Sequence, residues 1–229
     1  MVPAGKPKKF WHDLFFPSIR ISYVLFCLAT ERSSNQFKIP QARLRRPSSN
    51  QSLKIIKVIF LMSKPVGLFV GRFQPFHRGH LLVLQGMVKM CRKIYIVIGG
   101  SSTQDKENPF TFAERKEMIQ RALQEEDIIP LFDVEFETVA DQEGDEIWTQ
   151  EVLEKTPGVE KVWTGNEQVE KCFAGKGIEI QKIKEVPGIS ATEVRRLMKE
   201  GGDWEELVPE DAARYMKEIE GVKRIKILK

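Results

Sequence analysis

The chain has 229 residues, enough for one sizeable domain with extensions, and its 30% charged and 41% hydrophobic content is typical of a globular protein. The net charge of +4 is unevenly distributed. Residues 1–61 hold 11 Lys and Arg against two acids, a net charge of +9, which leaves −5 for residues 62–229. Nucleic-acid-binding domains usually carry a basic face, so the acidic balance of the larger part argues against a nucleic-acid partner.

The first 61 residues differ from the rest in composition. Their apolar run from Ile19 to Ala29 is short and is interrupted by Arg20, so it cannot span a bilayer. We expect a basic N-terminal extension over 1–61 that is poorly ordered, followed by one domain over 62–229. Three origins of the extension stay open: translation begun too far upstream of Met62, a targeting segment, or an accessory segment.

The cysteines Cys27, Cys91 and Cys172 are far apart, and no Cys-x-x-Cys pair occurs. This spacing indicates neither a zinc site nor a disulfide framework. We therefore predict no metal-binding side chains. Thiols of this kind fit a reducing, cytoplasmic setting best.

From Val66 onward the sequence alternates between strand and helix patterns. Strands are predicted at Val66–Val70, Ile94–Ile98, Val134–Val139, Lys161–Thr164 and Ile178–Ile183. Helices are predicted at about 79–91, 111–125, 145–155, a short segment after Asn166, 190–200 and 209–219. Repeated strand–helix units predict an α/β fold with a doubly wound parallel sheet and C-terminal helices. Ligands bind such sheets beyond the strand C-termini, so the turns that follow strands should meet at one edge.

The turn after the first strand carries the strongest motif, Gly71-Arg72-Phe73-Gln74-Pro75-Phe76-His77-Arg78-Gly79-His80. The free N–H groups at the start of the following helix favour phosphate, and Arg72 adds a planar fork of donors. Gly71 and Gly79 lack Cβ atoms, so a ligand can lie close to the backbone. A lone His-x-x-His is weak evidence. Here six positions of Gly-x-Phe-x-Pro-x-His-x-Gly-His are met together, a match expected by chance about once in tens of millions of start points.

The second motif opens a later helix and reads Ile189-Ser190-Ala191-Thr192-Glu193-Val194-Arg195-Arg196. Ser190 is a natural N-cap, and Glu193 is spaced to complete a capping box with it. The hydroxyls of Ser190 and Thr192, with the first-turn amides, form a second anion cradle. Taken alone, this segment is more simply an ordinary capped helix with two solvated arginines. Its pairing with the first motif favours a phosphate site.

The two motifs together resemble the signatures of the nucleotidyltransferase superfamily with the HxGH motif, and most closely the archaeal-type nicotinamide mononucleotide adenylyltransferases. The resemblance covers residues 66–228 and implies a Rossmann-like nucleotidyltransferase domain. It implies that the catalytic residues are Arg72, His77, His80 and Arg195. Further contacts with ATP and its phosphates fall by position on Gly71, Phe73, Gln74, Gly79, Thr164, Gly165, Asn166, Ile189, Ser190, Thr192 and Arg196.

The acceptor side of the family pattern is matched less fully. The resemblance implies that nicotinamide mononucleotide contacts Gly99, Ser101, Arg115 and Trp148, with Trp148 stacking on the nicotinamide. A core position for Trp148 is an equal alternative, since a Trp at this spacing is often buried. The family's Ser-His after the second strand is absent here, and the segment 140–146 also departs from the family pattern.

The resemblance implies an enzyme that transfers AMP from ATP to nicotinamide mononucleotide, giving NAD and pyrophosphate by in-line attack without a covalent intermediate. It also implies Mg²⁺ with the ATP, and a homo-oligomer, often a hexamer in the family, without nucleic-acid or membrane partners. One alternative is a relative with another phosphate acceptor, such as phosphopantetheine or FMN, or with a CTP substrate. Another is a non-catalytic nucleotide-binding regulator. The chain has no Walker A motif, so it is not a P-loop NTPase.

Overall fold

The computed structural model describes residues 61–100, 104–129 and 132–228. Within these residues five strands form one parallel sheet in the order β3-β2-β1-β4-β5. The strands are β1 (Val66–Gly71), β2 (Lys93–Gly99), β3 (Val134–Val139), β4 (Lys161–Thr164) and β5 (Glu179–Lys182). The predicted parallel sheet is therefore confirmed. The strand order reverses between β1 and β4, and this switch point is where ligands bind in doubly wound sheets.

The strands alternate with helices, as predicted. The helices of the described residues are α1 (Arg78–Met90), α2 (Phe112–Glu125), α3 (Asp145–Lys155), α4 (Glu167–Phe173), α5 (Ala191–Glu200), α6 (Glu210–Glu218) and α7 (Gly221–Ile227). A 3₁₀ turn at Trp204–Leu207 precedes α6. The sequence predicted neither this turn nor α7, because both are too short to show a helical period. No helix in the described ranges is long and apolar enough to cross a bilayer.

The central strands are apolar throughout because both faces of the sheet are covered. Phe69 and Ile96 pair across β1 and β2 and point into one core layer. Leu68 and Tyr95 pair beside them and point into the opposite layer. Burial on both faces explains the unbroken apolar runs of these strands. The paired, buried strands give a firm base to the loops that leave their C-terminal ends.

Two predicted helix starts are borne out in different degrees. Thr111 caps α2, and it exchanges hydrogen bonds with Glu114 in a complete capping box, at 3.3 and 2.8 Å. Ser190 caps α5 and accepts the N–H of Glu193 at 3.1 Å. The return bond predicted for Glu193 is wrong, because its carboxylate binds the Arg196 guanidinium at 2.6 Å. A charged fork of donors is a stronger partner for a carboxylate than a backbone N–H.

Some predictions concern residues beyond the described ranges. The N-terminal extension lies outside them apart from Leu61. Ser101, predicted to contact the acceptor nucleotide, also lies outside them.

Candidate functional site

The turn between β1 and α1 places two histidines face to face. His77 is the N-cap of α1, and His80 is its third residue. The Nδ1 atom of each ring accepts the backbone N–H of the other residue, at 3.3 and 3.4 Å, and the rings stack with centroids 3.6 Å apart. Because Nδ1 is the acceptor in both neutral rings, we assign the proton of each ring to Nε2. The pair therefore offers two Nε2–H donors.

Both imidazoles are neutral at physiological pH. His77 is only 8% exposed, and burial lowers its pKa from 6.5 to about 4. Burial also lowers the pKa of His80 well below 6.5, and the adjacent His77 lowers it further. Phe73 and Phe76 pack against the His80 ring, with centroids 4.9 and 5.5 Å away. In this apolar setting the rings act as hydrogen-bond donors and not as cations.

Two glycines of the first motif are required by neighbouring rings. A Cβ at Gly79 would lie 3.0 Å from the Cε1 and Nδ1 atoms of His77. A Cβ at Gly71 would lie 2.8 Å from the ring of Phe73, whose own backbone is left-handed with φ of 51°. The sequence predicted that these glycines make room for a ligand. In the structure they first make room for the side chains of the same turn.

A cavity of about 200 Å³ opens beside the histidine pair, at the switch point between β1 and β4. Its walls bring together residues from both motifs and from the turn after β4. They include His77, Gly79, His80, Thr164, Gly165, Asn166, Ile189 and Ser190. Eight of the residues predicted to contact ATP thus meet in one place, as expected for turns at the C-terminal edge of a parallel sheet.

The turn after β4 is held by its own polar groups. Thr164 is buried, and its hydroxyl accepts the N–H of Asn166 at 3.0 Å. The Asn166 side chain caps α4 by accepting the N–H of Gln168 at 2.8 Å. A Cβ at Gly165 would lie 3.3 Å from the carbonyl oxygen of Ile183. The wall that Asn166 forms is therefore set by local structure before any ligand binds.

A second cavity, of about 420 Å³, lies on the other side of Asn166. Its walls come from the ends of β1 and β2 and from α3 and α4. They include Gly71, Arg72, Gly99, Asp141, Asp145, Trp148, Asn166, Gln168 and Cys172. The two cavities share Val70 and Asn166, so they adjoin along the ends of β1 and β4.

Trp148 takes both of the positions that the sequence left open. It borders the larger cavity and packs edge-on against the buried Phe173, with ring centroids 6.3 Å apart. The carboxylates of Asp141 and Asp145, and the amide of Gln168, border the same cavity but were not predicted. Their places just after β3 and at the starts of α3 and α4 were the available signal, since such positions face the ligand edge.

Arg115 does not line either cavity. It is 2% exposed, and its Nη1 donates to the carbonyl oxygens of Arg72 at 2.7 Å and of Gly99 at 2.6 Å. Burial lowers its pKa to about 10. Arg115 was predicted to contact the acceptor nucleotide. In the structure it links the loops after β1 and β2, which border the larger cavity, through their carbonyl oxygens.

Gln74 is also used by the protein itself. Its side-chain amide donates to the carbonyl oxygen of Phe110 at 2.8 Å and accepts the N–H of Phe110 at 2.9 Å. Both Gln74 and Phe73 are buried, at 3% and 1% exposure. The structure therefore places these two predicted ATP contacts inside the turn, where they hold its shape.

The two arginines of the second motif have different surroundings. Arg195 is half-buried, and its Nη1 donates to the carbonyl oxygen of Gln74 in the first motif at 2.7 Å. Its Nη2 also reaches the hydroxyl of Thr192 at 3.4 Å. Arg196 is instead ion-paired along its own helix with Glu193 and Glu200. Arg195 therefore contacts the turn of the first motif, whereas Arg196 lies on the exposed side of α5, and neither residue lines the two cavities.

Arg72 is exposed and borders the larger cavity, with its guanidinium 3.9 Å from the Asp141 carboxylate. Across the described ranges, no three His, Cys, Asp or Glu side chains come together as a metal site.

The chain is similar in sequence to known proteins. The model of the cytidylyltransferase-like family matches residues 68–197. The nicotinamide-nucleotide adenylyltransferase of Thermococcus kodakarensis is 41% identical over 172 residues, covering 71% of this chain and 87% of that protein. The enzyme of the same name from Pyrococcus furiosus is 40% identical over 173 residues, covering 71% and 88%. The one from Methanothrix thermoacetophila is 38% identical over 169 residues, covering 70% and 94%.

Solved structures share the fold. A bifunctional NMN adenylyltransferase/ADP ribose pyrophosphatase from Francisella tularensis, complexed with AMP and a manganese ion, aligns with a TM-score of 0.58 at 23% identity. The alignment covers 71% of this chain and 52% of that longer one. Nicotinic acid mononucleotide adenylyltransferase from Plasmodium falciparum aligns with a TM-score of 0.51 at 14% identity, covering 70% and 98%. The family model matches more than half of this chain, and the chain covers most of the length of its relatives. This chain therefore belongs to the cytidylyltransferase-like family and, within it, to the nicotinamide-nucleotide adenylyltransferases.

Proposed function

We propose that this chain transfers AMP from ATP to nicotinamide mononucleotide, forming NAD and releasing pyrophosphate. The observation that carries this proposal is the pair of adjoining cavities at the switch point between β1 and β4. The smaller cavity is lined by hydrogen-bond donors suited to phosphate, and the larger one by an aromatic side chain suited to a base. A reaction between two nucleotides needs two such neighbouring subsites.

The chemistry needs no nucleophile from the protein. The 5′-phosphate of nicotinamide mononucleotide attacks the α-phosphorus of ATP, a new P–O bond forms, and the bond to the bridging oxygen of the β-phosphate breaks. That phosphate is ionised at neutral pH, so no general base is required. Catalysis then consists of holding the two phosphates in line and stabilising the charge that develops.

The donors of the smaller cavity would supply that stabilisation. His77 and His80 would donate from Nε2 to phosphate oxygens of ATP, with the free N–H groups at the start of α1 beside them. The first turn of α1 contains no acidic residue to offset its positive end. Ser190 and the start of α5, with Arg195, would hold the departing pyrophosphate. Arg72, at the edge of the larger cavity, would bind phosphate between the two nucleotides.

A divalent cation, which we propose is Mg²⁺, would enter with ATP. The smaller cavity offers neutral imidazoles, hydroxyls and N–H groups, which suit phosphate oxygens. Its walls also include Lys184 and one carboxylate, Glu185, and a single carboxylate is not a protein-built site for a hard cation. We expect the ion to be ligated by phosphate oxygens and water, where it would neutralise phosphate charge. We place the reaction in the cytoplasm, where the buried free thiols of Cys91 and Cys172 would stay reduced. The homo-oligomer implied by the sequence resemblance stays a prediction.

The proposal is tested with the full chain, ATP, Mg²⁺ and each of three phosphate acceptors: nicotinamide mononucleotide, FMN and phosphopantetheine. Pyrophosphate release is followed for all three, and NAD is measured with alcohol dehydrogenase and ethanol. Of the three acceptors, we expect only nicotinamide mononucleotide to give pyrophosphate release in the presence of ATP. One NAD should form for each pyrophosphate released. Release with another acceptor would identify a different transferase. ATP binding without any release would identify a nucleotide-binding regulator.

A further inference from the structure

The larger cavity combines an aromatic wall with a carboxylate on the same helix. Asp145 is the first residue of α3, and Trp148 follows three positions later. Residues three apart lie on one face of a helix, and both side chains border the cavity. A base in this cavity can therefore contact the Trp148 ring and the Asp145 carboxylate from one face of α3.

The charges around this cavity do not cancel. Asp141 lies 3.9 Å from the Arg72 guanidinium, so these two form a loose ion pair. Asp145 is hydrogen-bonded by the side-chain amide of Gln168, which is neutral. Among the ion pairs of the described residues, none includes Asp145. No cation of the described residues thus pairs with this carboxylate at the cavity wall, and Gln168 orients it from α4.

We infer that Asp145 selects nicotinamide nucleotides over their nicotinic acid counterparts. This inference rests on the proposed function and names the substrate class of the same site. The nicotinamide ring of the mononucleotide is a pyridinium, which is attracted to the face of a Trp ring and to a carboxylate. Its carboxamide carries N–H donors that the Asp145 carboxylate can accept. Nicotinic acid mononucleotide carries a carboxylate in that position and would meet like charge.

Like-charge repulsion is an effective means of rejecting a close analogue, because the two substrates differ only in the amide and acid groups. Asp145 is exposed at the cavity mouth, so solvent and salt weaken the effect. We expect the wild-type chain to favour nicotinamide mononucleotide in kcat/KM by on the order of tenfold or more. The preference should shrink as ionic strength rises.

The test compares kcat/KM for nicotinamide mononucleotide and nicotinic acid mononucleotide in the full chain, in Asp145→Asn and in Glu146→Gln. Asp145→Asn removes the charge while keeping the shape and a hydrogen-bonding group. We expect it to lower the selectivity ratio by about tenfold, mainly through better use of the acid. Glu146 is the matched control. Glu146→Gln removes the same charge one position along α3. The Glu146 side chain is 90% exposed, and it pairs with Lys176 at 3.2 Å outside the cavity. Its ratio should equal that of the wild type.

Three results would overturn the inference. The wild-type chain could use both nucleotides equally, Asp145→Asn could slow both by the same factor, or Glu146→Gln could change the ratio as much as Asp145→Asn. Equal slowing of both substrates by Asp145→Asn would mean that Asp145 has only a structural role at the start of α3. Thermal melting of each variant separates that structural effect from selectivity. Failure of the wild-type chain to use either nucleotide is a distinct outcome, because it would contradict the proposed function itself and this inference with it.

Discussion

His77 and His80 each accept the other's backbone N–H through Nδ1 while their rings stack 3.6 Å apart. The same pair of side chains therefore caps α1 and presents hydrogen-bond donors to the cavity. Nδ1 satisfies two of the N–H groups left free at the start of α1, and Nε2 is left to donate to a ligand. Protonation at Nδ1 would remove the acceptor and break the cap. The neutral state of both rings is therefore needed for the shape of the turn.

The free energy of unfolding should fall on acidification because of this pair. Burial lowers the folded-state pKa of His77 to about 4, below its ordinary value of 6.5. Between these two values the unfolded chain binds the proton and the folded chain does not, so stability is full above about pH 6.5 and is lost as pH falls toward 4. His77 alone should account for on the order of 2–3 kcal/mol over this window. Urea unfolding at several pH values should show a shallower pH dependence in His77→Asn, which keeps an N-cap. Equal pH dependence in both proteins would contradict the assignment.

Gly79→Ala should uncouple activity from stability. Its new Cβ would lie 3.0 Å from the His77 ring and would displace it from the stack. Replacing a helical Gly also raises helix propensity by about 0.5–1 kcal/mol, so the melting temperature should change little while kcat falls by about tenfold or more. Gly86→Ala is the control within α1, because nothing lies within 4 Å of its Cβ position. Gly86→Ala should gain stability and keep its activity. Equal activity in the two variants would show that the His77 position is unimportant.

The two neighbouring arginines of α5 should differ in their contribution to catalysis. Arg195 contacts the first motif through the carbonyl oxygen of Gln74, whereas Arg196 is paired with Glu193 and Glu200. Arg195→Ala should lower kcat by about 10²-fold, as expected for a lost donor to developing charge. Arg196→Ala should lower it by no more than about threefold, since exposed ion pairs contribute little. Steady-state kinetics with ATP and nicotinamide mononucleotide measures both. A larger loss in Arg196→Ala would reverse the assignment.

Arg115→Lys should weaken both the fold and acceptor binding. Lysine cannot reproduce a planar fork that reaches the carbonyl oxygens of Arg72 and Gly99, and it would leave buried acceptors unpaired. We expect a loss of about 1–3 kcal/mol in the free energy of unfolding and a raised KM for nicotinamide mononucleotide, with a smaller change in the KM for ATP. Arg214→Lys, in an exposed ion-paired position on α6, serves as the control and should change neither by much. If the KM for ATP rose as much as the KM for the acceptor, Arg115 would not belong to the acceptor side.

The sequence was sufficient to predict the sheet, because the buried strands read as unbroken apolar runs and the helices carry caps such as Thr111 and Ser190. The sequence also predicted that His77, His80 and Ser190 lie at one edge of the sheet, because turns after parallel strands share an edge. The sequence could not reveal which of the predicted ligand contacts instead bond to the protein's own backbone. Gln74 and Arg115 bond to backbone atoms of distant segments, and such partners are set by tertiary packing that no local pattern records. Asp145 was missed although its place at the start of α3 was a signal in the sequence, since such positions face the ligand edge.

The measurement that tests the central claim most directly is NAD formation from ATP and nicotinamide mononucleotide by the full chain and by His80→Ala, with ATP binding measured in parallel. We expect the wild-type chain to form NAD and His80→Ala to lose about 10²–10³-fold in kcat while still binding ATP, since the lost donor acts mainly on developing charge. A His80→Ala variant that remains folded and forms NAD at the wild-type rate would contradict the role assigned to the stacked histidines.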